Sequence, residues 1–548
     1  MSRRNQGAYI DRAERYIDEA WQRLPVFKRD RSTALLSLVT ITDDYLRWKF
    51  LSQPSDTSLM TLRVAQEALE FAVPWVYATC VNDNRPVPRT ITEEQCLEGK
   101  ALMEYAEAYN YAVMAFTNYH AGLYTAKADR GRPRIVFDFV SEDESLAETE
   151  KRAYEMTHAS DLPYGISITE EQIDSINRLG KTVTARSHRE PGDRVGFCWD
   201  EETVRAMRDV RDLELAIRRW HVPDSQAFSG IRYEDIKRYL TALAAISWAQ
   251  HLLHVSNAIG GIQGGAVSSV AVRLPLPELN SRLSDVGELE LGIVAAVSKL
   301  LTYDGSQPKL DCVTQPLLAA NDTEVIVPGA NARGAASERN LLKLYAKHPA
   351  LKVEYDRFSA QKERIALPRL IAALKDKSYF ERAQQAIKVD GRKLTDVDVL
   401  AYDPACQFLL IVQHKWLIEP DTMNESRATD EQLRKGIRQG EVCKQHLSDA
   451  GYRKAIGFEK SVSRVEAIVV CRGLEPTGFV KEVAVPVVTE DWFLRTLSAV
   501  SSLEQVYGLA VQRPDRKQVA SEWSEAPRLF HIAGYTLVVP GLRCPIKQ

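Results

Sequence analysis

The stretch LTDVDVLAYDPACQFLLIVQHKW, residues 394–416, leaves this chain the fewest options. Asp396 and Asp398 lie two apart, so in an extended segment they share one face while valines take the other. Asp403 and Pro404 suit a tight turn. FLLIVQHKW then reads as a second strand, apolar enough to be buried on both faces until it meets Gln413, His414 and Lys415. A hairpin of these two strands would bring Asp398, Gln413 and Lys415 to one end of a sheet. A carboxylate and an amide oxygen can hold a hard cation, and a neighbouring lysine can orient or help deprotonate water, the parts that metal-assisted hydrolysis of a phosphodiester requires. Three polar side chains beside Leu409, Leu410, Ile411 and Val412 would be costly to bury without partners.

On these residues the stretch resembles the PD-(D/E)XK nuclease superfamily, specifically its Mrr-like branch, in which glutamine replaces the usual glutamate. The resemblance covers about residues 350–490 and matches Asp398, Gln413 and Lys415 to the family's catalytic positions. It implies bound Mg²⁺, or Mn²⁺, held by Asp398 and Gln413, with Lys415 handling the water. A helical glutamate before the first strand often adds a ligand in this family, which makes Glu381 a candidate. An amide brings no charge, so another carboxylate must compensate, and Asp396 is the obvious one. The expected order is helix, three strands, helix, strand (αβββαβ), a mixed sheet flanked by helices. Gln439 and Cys443 stand where some relatives carry a QxxxY element, here with cysteine in place of tyrosine.

Composition restricts the rest. The chain has 548 residues and is 45% hydrophobic, enough for about two to four ordinary domains. Its net charge is −3, so attraction to nucleic acid must come from a local basic face. The helix expected after the third strand offers one, with Arg434, Lys435, Arg438, Gln439 and Lys444 as candidate DNA contacts and Arg434 and Arg438 one turn apart. Eight cysteines are scattered without a CxxC pair, as in a reduced, cytoplasmic protein. The N-terminus lacks an apolar signal segment, and no run of about eighteen apolar residues occurs, so a soluble protein with no membrane association is expected.

Along the chain, residues 1–130 read as a helical domain. Tyr9, Ile10, Tyr16, Ile17 and Trp21 mark an amphipathic helix, and Pro74 is expected to end or kink another. Tyr105, Tyr109 and Tyr111 suit helix packing, with base stacking as the alternative. Residues 131–258 read as a mixed, mainly helical recognition or scaffold domain. Within it, LGKT at 179–182 lacks the earlier glycine of a phosphate loop, Ser175 standing there, and Gly180 is expected to close a helix. His251 and His254 read as core histidines. Gly260, Gly261, Gly264 and Gly265 mark a hinge or turn, residues 266–350 a mixed connecting region, and residues 351–548 the nuclease-like domain, closed by a last strand in FHIAGYTLVVPGL.

The fold expected is therefore multidomain, with a mostly α-helical N-terminal half and an α/β, restriction-endonuclease-like C-terminal domain. The function expected is metal-dependent hydrolysis of DNA, in a bacterial restriction or anti-phage role that the resemblance alone implies. Cleavage of RNA is a further reading. From a different class comes a protein that kept the fold, lost catalysis and acts as a nucleic-acid-binding or interaction module. A homodimer is expected if both strands of a duplex are cut, and the helical half is expected to recognise a substrate, a partner protein or a second subunit.

Overall fold

A computed structural model describes residues 3–52, 56–129, 132–142, 145, 170–190, 194–218, 220–259, 271–306, 314–335, 338–348, 351–377, 379–389, 392–418, 423–472, 485–512 and 524–543. The chain divides into two compact units. One comprises Met1–Val140, Met156–His348 and Glu525–Gly541, the other Ser141–Glu155, Pro349–Ser524 and Leu542–Gln548. Residues 1–140 and 156–348, which span most of the three segments read as 1–130, 131–258 and 266–350, lie in the first unit. The glycine run 260–265, most of the charged segment 141–159, Cys312 and Cys544 lie outside the described residues. Among the described residues no helix is long and apolar enough to cross a membrane.

The first unit is built on helices. Arg31–Ser52, Asp56–Thr79 and Glu93–His120 bury Leu35, Leu38, Val39, Leu69, Val73, Val76 and Leu102 in one core. Pro74 lies within its helix, which continues to Thr79 and is not ended there. Glu93–His120 starts at a capping box, Thr92 and Gln95 each satisfying the other's backbone amide. The tyrosines belong to packing. Tyr105 and Tyr109 lie edge-on to Trp75 with ring centroids at 6.0 and 5.0 Å, and Tyr111 stacks on Phe530 at 4.3 Å. Gly180 sits inside the helix Glu170–Ala185 and does not end it, because Leu179 and Val183 keep its apolar stripe buried on both sides. His254 is buried, its Nε2 3.0 Å from Gln250 Nε2.

A correction concerns the last strands. Arg528–Ile532 and Tyr535–Val539 form a hairpin, and Tyr535–Val539 runs parallel to Arg134–Phe139 with Thr536 opposite Arg134 and Val538 opposite Val136. Together with Tyr124–Ala128 they make a four-stranded sheet in the first unit. Burial of Ile135, Phe137, Leu537 and Val539 supplies the physical reason, since a strand goes where its alternate apolar side chains find cover.

The second unit is α/β. Helices α1 (Lys352–Ser359) and α2 (Lys362–Asp376) lead into strands β1 (Phe380–Val389), β2 (Arg392–Asp403) and β3 (Phe408–Trp416). Helices α3 (Met423–Ser448) and α4 (Ala450–Ala455) follow, then β4 (Arg464–Arg472), β5 (Val487–Thr489), α5 (Glu490–Ala499) and α6 (Leu503–Val511). The sheet order is β1-β2-β3-β4-β5, antiparallel through β3 and parallel from β3 to β5.

Both faces are covered, which is why β3 reads as an unbroken apolar run. Leu367, Leu370, Leu410, Val412, Phe493 and Val506 form the core on the α2, α5 and α6 side. Leu400, Leu409, Ile411, Leu433, Ile437 and Cys443 form the core under α3. The β2–β3 turn is held by Asp403, whose carboxylate accepts the amides of Ala405 and Leu503 at 3.0 and 3.1 Å.

Candidate metal and phosphodiester site

Alternation along β3 decides what the α3 side of the sheet carries. Leu409 and Ile411 pack into the core beneath α3, so Gln413 and Lys415 point the same way. In β2, Leu400 and Tyr402 do the same, and so does Val397, so the alternation shifts between Val397 and Val399; the charges of Asp398 and Asp396 act on the Cys443 thiol in this core. The β2–β3 ladder pairs Asp403 with Phe408 at one end and Val399 with Val412 at the other. One residue further, a side chain takes over the pairing: Asp398 Oδ2 accepts the His414 amide N–H at 2.8 Å. The acid is thereby fixed to the strand that carries Gln413 and Lys415, at the point where the two strands stop bonding through their backbones.

Gln413 is only 1% exposed. Its Nε2 donates to the Asp396 carbonyl at 2.8 Å and to Cys443 Sγ at 3.6 Å, which leaves the amide oxygen as the group's acceptor for a cation. Asp396 is about half-exposed and paired with Lys393 at 2.5 Å. Cys443 lies under all of them. Burial pushes its thiol up to about 12, the charges of Asp398 and Asp396 act in the same direction, and the Gln413 hydrogen bond opposes them. Lys415 lies along α3 at Gly436, where an added Cβ would come 3.3 Å from its Cε. The glycine lets helix and lysine lie this close.

Gln413 and Lys415 therefore stand on the α3 side of the sheet, and Asp398 and Asp396 lie beside them at the same end, bonded to His414 and Gln413 and acting on the Cys443 thiol. Hard oxygen donors from Asp398, the Gln413 amide and Asp396 suit Mg²⁺ or Mn²⁺ in chemical type. Among the described residues no group of three or more His, Cys, Asp or Glu side chains could hold a metal ion. Glu381 is a correction. It lies in strand β1, paired with Ala401, and not on a preceding helix. FERAQQ is polar and rich in helix formers, and pairing with β2 makes it a strand all the same.

The expected basic face is only partly present. Arg434, Lys435 and Arg438 are exposed on α3. Lys444 is engaged elsewhere, its ammonium 2.6 Å from Glu466, which Arg464 also reaches at 3.0 Å; this corrects its place among the DNA contacts. Gln439 is half-buried, and its Oε1 is a buried acceptor without a donor among the described residues.

Sequence reasoning missed a group on the opposite face. His414 and Glu490 are buried, with His414 Nε2 3.3 Å from Glu490 Oε2. Arg472 grips the same carboxylate with two hydrogen bonds of 2.7 and 2.9 Å, and its guanidinium lies 4.3 Å from the Trp416 ring centroid. Burial alone would raise the Glu490 pKa; hydrogen bonds from His414 and Arg472 hold it well below the usual carboxylate range. Thr489 followed by two acids signals a helix start in the sequence, but the partners come from two other strands and leave no local signal. No family model, no curated protein and no solved structure matches the chain.

Proposed function

We propose that the second unit is a metal-dependent phosphodiesterase acting on DNA, of the PD-(D/E)XK type. One observation carries the reading. An acid, an amide and a lysine from two adjacent strands meet at the end of their ladder, the acid anchored to its neighbour by the 2.8 Å bond from His414. The order α2, β1, β2, β3, α3, β4 supports it as well.

In this reading Asp398 and the Gln413 amide oxygen hold Mg²⁺, with Asp396 as the second acid. The ion would supply Lewis acidity and an activated water. The remaining work falls to the protein. The His414 amide anchors Asp398 through Oδ2, the Gln413 bond to Asp396 sets the direction of its oxygen, and Lys415 brings positive charge to where the phosphate builds negative charge. Arg434, Lys435 and Arg438 offer the phosphate backbone a contact on α3.

The test is cleavage of supercoiled plasmid in Mg²⁺ or Mn²⁺ by the parent, Asp398→Ala and Lys415→Ala. Cutting by the parent and a loss of about 100-fold or more in each variant is expected, the scale of removing a group that stabilises transition-state charge. A parent that binds DNA and leaves it intact, like both variants, would sink the enzyme. It would favour the second reading, a nucleic-acid-binding module. RNA in the same assay separates the substrates.

A further inference from the structure

The face of β3 opposite the candidate site is unusually polar for a core. His414 is 0% exposed, Glu490 3% and Arg472 8%. Replacing such a group by apolar side chains costs a fold little, whereas breaking it is expensive, so buried ion pairs are weak evidence of a role in stability alone.

The connectivity indicates another role. His414 stands between Gln413 and Lys415, and the same residue that gives its ring to Glu490 gives its backbone N–H to Asp398 Oδ2. Trp416 stands next to Lys415, and its ring is covered by the Arg472 guanidinium that Glu490 orients. Glu490 opens helix α5, where a carboxylate is favoured by the helix dipole, so its position is set independently of β3. The end of β3 is thus gripped from behind at alternate residues, His414 and Trp416, while the intervening residues, Gln413 and Lys415, project toward α3. Backbone pairing with β2 has already stopped at Val399 and Val412. On that side, the bonds from His414 N–H to Asp398 and from Gln413 Nε2 to the Asp396 carbonyl do the holding, while the ladder to β4 continues through Trp416.

We infer that Glu490 is a positioning residue for the candidate site: through His414 and Arg472 it fixes the end of β3, and with it the bond between the His414 amide and Asp398 and the directions of Gln413 and Lys415. The catalytic part of the inference rests on the nuclease reading; the mechanical part does not.

The experiment compares the full-length parent with Glu490→Gln and Glu490→Asp by hydrogen exchange and by plasmid cleavage in Mn²⁺. In Glu490→Gln the amides of 413–416 should exchange about tenfold faster or more, with those of 408–412 unchanged, because the opening is local. If the parent cuts DNA, kcat should fall about tenfold or more with KM within about twofold, and Glu490→Asp should restore part of both. Exchange accelerated evenly along β3, or unchanged at 413–416, overturns the proposal. A parent that cuts nothing overturns the nuclease reading and leaves the exchange result to decide the positioning role.

Discussion

Gln413 is the residue where the two readings of the molecule meet. Its amide nitrogen satisfies the Asp396 carbonyl, a bond that a glutamate could not make. Gln413→Glu should therefore destabilise the unit in chelator by about 1–3 kcal/mol, the cost of leaving a buried acceptor facing an acceptor, and Mn²⁺ should recover part of the loss. Urea titrations with and without the ion measure it, and a variant as stable as the parent in chelator would mean that the bond contributes nothing. Glu490 allows a second prediction at this scale. Its folded pKa is lowered, so its stabilisation is full above the ordinary glutamate range and is lost as pH falls through that range toward the folded value. The stability difference between the parent and Glu490→Gln should shrink as pH drops below about 4.3, the unperturbed value. A difference that stays constant between pH 7 and pH 3 would mean that the charge is not what stabilises the group.

At the scale of elements, β2, the Asp403 turn and β3 were legible because both cues are local: a period of two, then a buried run. The shared face of Gln413 and Lys415 followed from that alternation, whereas in β2 the alternation shifts between Val397 and Val399. β1 was not legible at its start, since FERAQQ has the composition of a helix and becomes a strand only through pairing. Glu381 was assigned to a helix for the same reason. Lys444 was misread because its partner Glu466 lies on β4, a long-range contact that no spacing announces. The face bearing His414, Glu490 and Arg472 was invisible for a like reason. Helix α3 yields a prediction of its own. Gly436→Ala gains helix propensity of about 1 kcal/mol, but its Cβ would meet Lys415 Cε at 3.3 Å and Val469 Cγ1 at 3.4 Å. The flexible lysine gives way more easily than the strand, so the variant should fold with stability within about 1 kcal/mol of the parent and lose most of its cleavage. Equal losses of stability and activity would argue against a lysine placed by this glycine.

At the scale of the molecule, two units share one chain, and the first is not contiguous in sequence. Residues 349–524 interrupt a unit whose sheet is completed by Arg528–Ile532 and Tyr535–Val539. A chain stopped after residue 523 should lose two of that sheet's four strands and uncover Ile135 and Tyr111. Limited proteolysis should then cut near 124–139 much faster while the 351–512 region stays resistant; resistance throughout would mean the hairpin is dispensable. The return of the chain also orders events on the ribosome. Every residue of the α/β unit between 349 and 524 emerges before the edge at 134–139 receives its parallel neighbour at 535–539, so that edge stays unpaired through the synthesis of more than two thirds of the protein. Full assembly of the helical unit is thereby tied to completion of the candidate enzyme, and a prematurely terminated product that carries the acid, amide and lysine would lack its intact companion.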